Sequence, residues 1–243
     1  MKRTARLAIS AVSVGFLVAL ATALALSTQL RLQRTENFLV RLDPLGQEVY
    51  ESEPTPSQGA IVFFGDSRAQ MWVLPRIQGR ACVTRGVGRQ TTAQALGRLE
   101  GDVLRWKPSC VVLECGINDL RALPLLPERR VRLKEDCVAN LAKMVETLRK
   151  HNIPVVLCTI FPVQTPKPWQ EPFWSDGIAG LVRETNTELR KLGREGVQIL
   201  ETEPVLAAAD GKIRAELATD HLHLSPAGYE RLNERLVLLL KSP

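Results

Sequence analysis

The sequence predicts an α/β domain in which helices cover both faces of a mostly parallel sheet, with a membrane-spanning helix before it. Three observations support this prediction. After residue 60, short apolar runs alternate with longer amphipathic stretches, as in proteins that pack helices around a parallel sheet. Hydrophobic residues make up 45% of the 243 residues, which suits one domain with a sizeable core. The stretch from Leu7 to Leu30 contains no charged residue.

The predicted strands are short runs rich in β-branched and aromatic residues, at 60–64, 81–84, 110–115, 154–160 and, more weakly, 197–200. Helices are predicted between and after them, at 91–105, 128–151, 175–195 and 225–241. Ser225 and Pro226 fit the start of the last helix, because serine caps helix N-termini and proline is favoured in the first turn. Since parallel strands end on the same side of a sheet, a site there collects residues from loops that are far apart in the sequence.

The uncharged N-terminal stretch is longer than the roughly 18–20 residues that a helix needs to cross a bilayer. It is also longer than the usual apolar core of a cleaved signal peptide, about 7–15 residues. Lys2, Arg3 and Arg6 precede it and predict a cytoplasmic N-terminus, whereas Arg31 and Arg34 reduce the charge asymmetry. We therefore expect a single-pass anchor in a bacterial inner membrane, with the domain on the periplasmic side. Secretion after cleavage of the stretch is the alternative.

Composition divides the chain into three parts. Residues 1–30 form the predicted anchor or signal sequence, and residues 31–59 form a polar, proline-containing connector. Residues 60–243 form the single predicted domain, because strand and helix patterns alternate throughout it.

Charge and cysteine content exclude several classes of protein. The net charge is +6, but the basic residues are scattered and no nucleic-acid motif is present, so a nucleic-acid partner is not expected. The five cysteines lack the spacing of zinc ligands, so no metal site is expected. Most of them lie in or beside apolar runs and are expected to be buried free thiols. A disulfide between Cys110 and Cys115 is left open by the sequence.

Four polar segments fall at strand ends or before helices. Gly65-Asp66-Ser67 follows the first predicted strand directly. The other segments are Arg85–Thr92, Gly116–Asp119 and Asp220–His223. Each segment alone is a weak signal, but the predicted topology brings all four to the same edge of the sheet.

Ser67 is a candidate nucleophile and requires a base, because a serine hydroxyl reacts poorly until a neighbouring group takes its proton. The chain offers three histidines, His151, His221 and His223. Two of them lie in the last polar segment, so the chemistry requires the two ends of the domain to meet. The Gly-x-Ser-x-Gly elbow of α/β-hydrolases is missing from the sequence.

In this order, the four segments resemble those of the SGNH (GDSL-type) hydrolase family, and the resemblance covers roughly residues 60–240. It implies a three-layer α/β/α sandwich with a mostly parallel five-stranded, flavodoxin-like sheet. It also implies a serine esterase that hydrolyses carboxylic esters through an acyl-enzyme, without a cofactor. A lipid ester, an acetylated glycan or a small ester is the implied substrate. Two alternatives stay open: an envelope acyltransferase that uses the same triad, and a catalytically silent binding or assembly module.

The resemblance also implies roles for individual residues. Ser67 matches the nucleophile, His223 the base, and Asp220 the acid that orients the imidazole. Asn118 matches the asparagine of the oxyanion hole, and the backbone N–H of Ser67 supplies another donor. A third donor comes from the segment at 86–89.

That segment departs from the family pattern. Thr84 stands where the family commonly has asparagine, and Arg89 stands where it has a second glycine. Either Arg89 or, after a shift of one residue, Gly88 supplies the donor. A backbone conformation that only glycine adopts easily would be strained at Arg89.

Several residues near the expected site are candidates for substrate binding. Arg68, Arg89 and Arg121 suggest an anionic substrate, although solvated loop arginines are an equal alternative. Trp169 and Trp174 lie in a proline-rich loop after the fourth strand and are predicted to line an acyl or sugar pocket. A packed surface loop is the alternative for this segment.

Overall fold

The computed structural model describes residues 2–52, 58–77, 79–167 and 174–241. The chain forms two compact units, one ending at Gln47 and the other beginning at Glu48. The first unit contains one long helix, α1 (Lys2–Leu42). Its segment Val14–Leu32 is long and apolar enough to span a membrane, a property that signal sequences share.

The second unit contains a five-stranded sheet in which all paired strands are parallel. The strands are β1 (Ile61–Gly65), β2 (Cys82–Gly86), β3 (Cys110–Glu114), β4 (Val155–Cys158) and β5 (Val197–Leu200). Their spatial order is β2-β1-β3-β4-β5, the flavodoxin-like order. After β1 the chain forms β2 at one edge of the sheet, and then crosses to form β3 on the other side of β1. The carboxyl ends of β1 and β3 therefore border the crevice where such sheets hold ligands.

The helices lie on both faces of the sheet, as predicted. They are α2 (Ser67–Gln70), α3 (Thr92–Asp102), α4 (Ile117–Leu120), α5 (Arg130–Lys150), α6 (Gly177–Arg190), α7 (Glu203–Leu206) and α8 (Pro226–Lys241). One buried cluster joins alternate strand residues such as Val62 and Phe64 to α3, α5 and α6. A second cluster joins Ile61 and Phe63 to α7 and α8. This alternation follows from the two-residue period of a strand, and it confirms the predicted three-layer α/β fold.

The cysteine side chains are free thiols, and four of the five are buried. Cys110 packs in the cluster with α8, whereas Cys115 packs in the cluster with α5. The two thiols lie on opposite faces of the sheet, so the disulfide that the sequence left open does not form.

Candidate active site

The proposed nucleophile lies at the carboxyl end of β1. Gly65 ends this strand with φ at 152°, and a Cβ there would lie 1.5 Å from the carbonyl oxygen of Glu114, so only glycine fits. Asp66 then caps α2, because its Oδ1 accepts a hydrogen bond from the Arg68 N–H at 2.9 Å. These two features place Ser67 at the edge of the sheet, half-buried and at the first position of a short helix.

The structure brings together the three residues that the resemblance assigns to a triad. Ser67 Oγ lies 2.9 Å from His223 Nε2, and His223 Nδ1 lies 2.7 Å from Asp220 Oδ2. The other oxygen of Asp220 accepts hydrogen bonds from the backbone N–H groups of Leu222 at 2.7 Å and of His223 at 2.8 Å. One loop therefore fixes the carboxylate and the imidazole relative to each other.

The electrostatics of this loop favour an ionised Asp220. Partial burial acts to raise the pKa of its carboxyl, but the hydrogen bonds from the His223 ring and from two backbone N–H groups outweigh burial. The pKa of Asp220 consequently lies below its ordinary value. A carboxylate that is ionised at neutral pH can stabilise an imidazolium that forms beside it.

Asn118 lies in α4, the short helix that follows β3. Gly116 precedes it with φ at 129°, and a Cβ there would lie 2.8 Å from a side-chain carbon of Ile160. The side-chain amide of Asn118 donates one hydrogen bond to the carbonyl oxygen of Gln90 at 3.0 Å. Because an amide nitrogen carries two hydrogens, this bond orients the group and leaves a second N–H.

The segment after β2 holds the two candidates for a backbone donor. Gly88 lies beside the nucleophile, since a Cβ there would be 3.8 Å from that of Ser67. Its N–H already donates to Gln70 Oε1 at 3.0 Å. Arg89 is exposed and adopts a left-handed backbone with φ at 66°. This is the conformation that a glycine adopts without strain, which agrees with the place of Arg89 in the sequence pattern.

Most of the chain matches a known protein family. Residues 57–231 match the model of the GDSL-like lipase/acylhydrolase family. The chain belongs to this family. An uncharacterized lipoprotein of Bacillus subtilis, YqeF, is 32% identical over 121 residues, which are 42% of this chain. The aligned region covers 49% of that relative, so the chain matches about half of its length.

Solved structures show the same fold at low sequence identity. A putative platelet activating factor from Streptococcus pneumonia is 22% identical with a TM-score of 0.71, covering 87% of this chain and 98% of that one. A GDSL-like lipase from Bacteroides thetaiotaomicron is 19% identical with a TM-score of 0.65, covering 81% and 98%. An acetylxylan esterase from Geobacillus stearothermophilus is 18% identical with a TM-score of 0.59, covering 78% and 98%.

The residues predicted to bind substrate in this GDSL-like protein differ in how far solvent can reach their side chains. Arg68 is wholly buried, and a side chain that solvent cannot reach cannot contact a substrate, so this prediction is corrected. Arg121 is half-buried and follows α4. Trp174 is also half-buried, and its ring packs edge-on against His221 with centroids 5.2 Å apart. Trp169 lies outside the described residues.

Trp174 also lines a cavity of about 300 Å³ with Gln164 and Arg183. The backbone N–H of Gln164 donates to the carbonyl oxygen of His221 at 2.9 Å, so this cavity adjoins the loop that carries the proposed base. Within the described residues, no group of three or more His, Cys, Asp or Glu side chains is arranged to hold a metal ion.

One structural contributor to the site escaped the sequence analysis. Arg98 is almost fully buried in α3, and its guanidinium donates to the carbonyl oxygens of Gly65 at 2.7 Å and of Arg85 at 2.6 Å. It therefore holds the ends of β1 and β2 together behind the nucleophile. The available signal was its position next to Leu99, on the face of an amphipathic helix that packs against the sheet.

Proposed function

We propose that the chain is a serine hydrolase that cleaves carboxylic esters through an acyl-enzyme. One observation carries the proposal: the continuous hydrogen-bond series from Ser67 Oγ to His223 at 2.9 Å and on to Asp220 at 2.7 Å. These groups come from opposite ends of the domain. A series of this kind supplies a nucleophile, a base and a group that orients the base.

In the proposed reaction, Asp220 holds the tautomer of His223 that has its proton on Nδ1. His223 Nε2 then accepts the proton of Ser67 Oγ while this oxygen attacks the acyl carbonyl. The tetrahedral intermediate collapses, and the imidazolium returns the proton to the departing alcohol. Water next gives a proton to His223 and attacks the acyl-enzyme. The second tetrahedral intermediate collapses, the imidazolium returns this proton to Ser67 Oγ, and the acid is released.

Three donors are proposed for the oxyanion: the backbone N–H groups of Ser67 and Arg89 and the side-chain amide of Asn118. Arg89 is preferred to Gly88 because the Gly88 N–H is already bonded to Gln70. The left-handed turn at Arg89 supports this choice, since strained backbone is often retained at functional sites. Removal of one such donor typically lowers turnover by about 10²–10³.

The proposed substrate is a lipid ester, an acetylated glycan or a small ester at the bacterial envelope. Similar structures include lipases and acetylxylan esterases, which is consistent with this range. Arg121 and Trp174 remain proposed substrate contacts, as does Trp169. The apolar helix α1 supports a single-pass anchor in the inner membrane with the hydrolase on the periplasmic side. The division into an anchor at 1–30, a connector at 31–59 and a domain at 60–243 is part of this proposal.

A fluorophosphonate probe tests the proposal, because it labels a serine only when a base activates it. The folded chain should be labelled, and Ser67→Ala should abolish the labelling. Ser109→Ala is a matched control. This serine lies just before β3, at the amino ends of the strands, whereas Ser67 lies at the carboxyl ends. The Ser109 hydroxyl has no hydrogen-bond partner among the described residues. A folded wild-type chain that resists the probe would refute the proposal. An ester series of increasing acyl length then identifies the preferred acyl group.

A further inference from the structure

Arg68 connects the two halves of the proposed triad, which are Ser67 on one side and the loop with Asp220 and His223 on the other. Its side chain is completely buried, although arginine is rarely found fully buried. Its Nε donates to the carbonyl oxygen of Leu222 at 3.0 Å, and one terminal nitrogen donates to the carbonyl oxygen of Phe161 at 3.4 Å. Leu222 is the residue before His223, and Arg68 is the residue after Ser67. The side chain therefore links the nucleophile's helix directly to the base's loop.

The backbone of Arg68 is fixed as well. Its N–H donates to Asp66 Oδ1 at 2.9 Å, and its carbonyl oxygen accepts a hydrogen bond from the Tyr229 hydroxyl at 2.9 Å. Tyr229 is buried in α8, the helix that follows the loop with His223. The short helix α2 is consequently held by elements on both sides of the proposed base.

The charge of Arg68 is balanced locally. One terminal nitrogen lies 3.7 Å from Glu114 Oε1, and Asp66 is equally buried nearby. Burial raises the pKa of both carboxyls, for Glu114 well above its ordinary value. Both Glu114 oxygens and Asp66 Oδ2 lack an N–H or O–H donor among the described residues, and Arg68 Nη2 lacks an acceptor there. The charge of Arg68 acts to lower the pKa of both acids, which opposes the effect of burial.

We propose that Arg68 is a positioning residue: through the Leu222 carbonyl oxygen it sets the distance and direction between His223 Nε2 and Ser67 Oγ. This inference rests on the proposed function. An apolar side chain would fill the same volume without the desolvation cost of a buried cation, but it would leave the carbonyl groups of Leu222 and Phe161 without their donor. Misplacement of a catalytic group by about 1 Å is enough to lower a rate about 100-fold.

The test compares Arg68→Met and Arg68→Lys with matched changes at Arg214. Arg214 also donates to two carbonyl oxygens, those of Val205 at 2.7 Å and of Ala207 at 3.2 Å, but it touches neither half of the triad. We expect Arg68→Met to lower the rate of fluorophosphonate labelling and kcat about 100-fold, with KM within threefold of wild type. Arg68→Lys should retain part of the rate, because it keeps the charge and one donor. Both Arg214 variants should keep the wild-type rate.

A folded Arg68→Met that is labelled within threefold of wild type would overturn the inference. An equal loss of rate in the Arg214 variants would overturn it too, because the effect would then report general destabilisation. If Arg68→Met does not fold, Glu114→Gln provides the second variant. It keeps the volume but replaces the acid that lies 3.7 Å from the Arg68 guanidinium with an amide, and it should slow labelling at least tenfold. An unchanged rate in Glu114→Gln would then count against the inference.

A spectroscopic readout separates this inference from the proposed function. The Nδ1 proton of His223 can be assigned in a proton NMR spectrum by its loss in His223→Gln. Its resonance should shift in Arg68→Met and Arg68→Lys but not in the Arg214 variants. A wild-type chain that the probe does not label refutes the esterase proposal, whereas an unmoved resonance refutes the positioning role, whether or not the chain is active.

Discussion

Arg89 and Lys107 both hold a left-handed backbone, with φ at 66° and 48°, and both side chains are exposed. Such a conformation costs a non-glycine residue about 1 kcal/mol or more. Arg89→Gly should therefore raise the free energy of unfolding by about 1 kcal/mol. The backbone N–H remains, so labelling by a fluorophosphonate should stay within a few-fold of wild type. Urea unfolding and the labelling rate measure the two effects.

Lys107→Gly is the matched control for this change, because Lys107 ends a short 3-10 helix away from the site. It should give a similar gain in stability with no change in labelling. A loss of stability in Arg89→Gly would show that the arginine side chain contributes more than its backbone strain costs. A tenfold loss of labelling would show that the side chain itself takes part in the reaction.

Asp220 should act as an ionised partner of His223 and not only as a loop brace. Asp220→Asn keeps an oxygen for the N–H groups of Leu222 and His223, but an amide stabilises the imidazolium poorly and can favour the wrong tautomer. We expect kcat on any accepted ester to fall by about 10³–10⁴. Asp210→Asn is the control, because Asp210 Oδ1 also accepts a hydrogen bond from a backbone N–H two residues later, that of Lys212, at 3.0 Å. Equal activities in the two variants would contradict the proposed role.

At the scale of helices and strands, hydrogen bonds to a buried carboxyl join two segments of the site. Asp119 of α4 accepts hydrogen bonds from the backbone N–H of Thr92 at 2.9 Å and from its hydroxyl at 2.6 Å, which anchors the start of α3. Burial raises the pKa of Asp119 to about 6. An unfolded aspartate titrates near 4, so between pH 4 and 6 the folded state binds the extra proton. The stability contributed by this group therefore falls as pH rises through that window.

The expected size of this effect is up to about 3 kcal/mol between pH 4 and pH 7. Asp119→Asn removes the titration, so its stability relative to wild type should improve by that order as pH rises. Urea unfolding of both chains at pH 4.5 and pH 7 measures the difference. Asp136→Asn changes an exposed aspartate of α5 and should run parallel to wild type. Parallel behaviour of Asp119→Asn would show that the buried carboxyl does not titrate in this range.

The sheet and the larger helices were predictable because their patterns are local. All five strands lie within a few residues of their predicted positions, and α5 at Arg130–Lys150 matches the predicted 128–151. The predicted helix at 91–105 is shorter, because α3 ends at Asp102 and a 3-10 turn follows. The position of Ser67 at a strand end was likewise readable from sequence, since β1 is apolar throughout.

Other parts of the site were not predictable, because they depend on contacts between distant residues. Arg68 was predicted to bind substrate, with a solvated loop arginine as the alternative. Its side chain is instead buried, where it donates to a carbonyl group 154 positions away and lies near an acid of β3. Arg89 was recognised as a departure from the family pattern, but only the structure shows that it retains the left-handed turn. The helical pattern places Arg98 next to Leu99 on the packed face of α3, but it does not reveal the carbonyl groups of two strands to which Arg98 donates.

At the scale of the whole molecule, the fold explains why the two ends of the domain share one site. The first strand lies inside the sheet, between β2 and β3, and the loop before α8 returns to its carboxyl end. Tyr229 and Arg68 fix that return. Because all strands, both buried clusters and the triad lie in the unit that begins at Glu48, this unit contains everything that the proposed reaction needs.

Removal of residues 1–47 should therefore release a folded chain with unchanged labelling rate and kcat, while the full chain sediments with membranes. The start point matters because the Tyr50 hydroxyl donates to the carbonyl oxygen of Gly86, and the Arg85 guanidinium lies 4.5 Å from its ring centre. A chain that begins at residue 58 loses both contacts. Its free energy of unfolding should fall by about 1–2 kcal/mol, so it should unfold at a lower urea concentration. Equal stability of the two truncated chains would show that Tyr50 contributes nothing to the domain. A full chain that stays in the soluble fraction at its full mass would refute the anchor, because a span of this length and composition, once inserted, does not leave the bilayer.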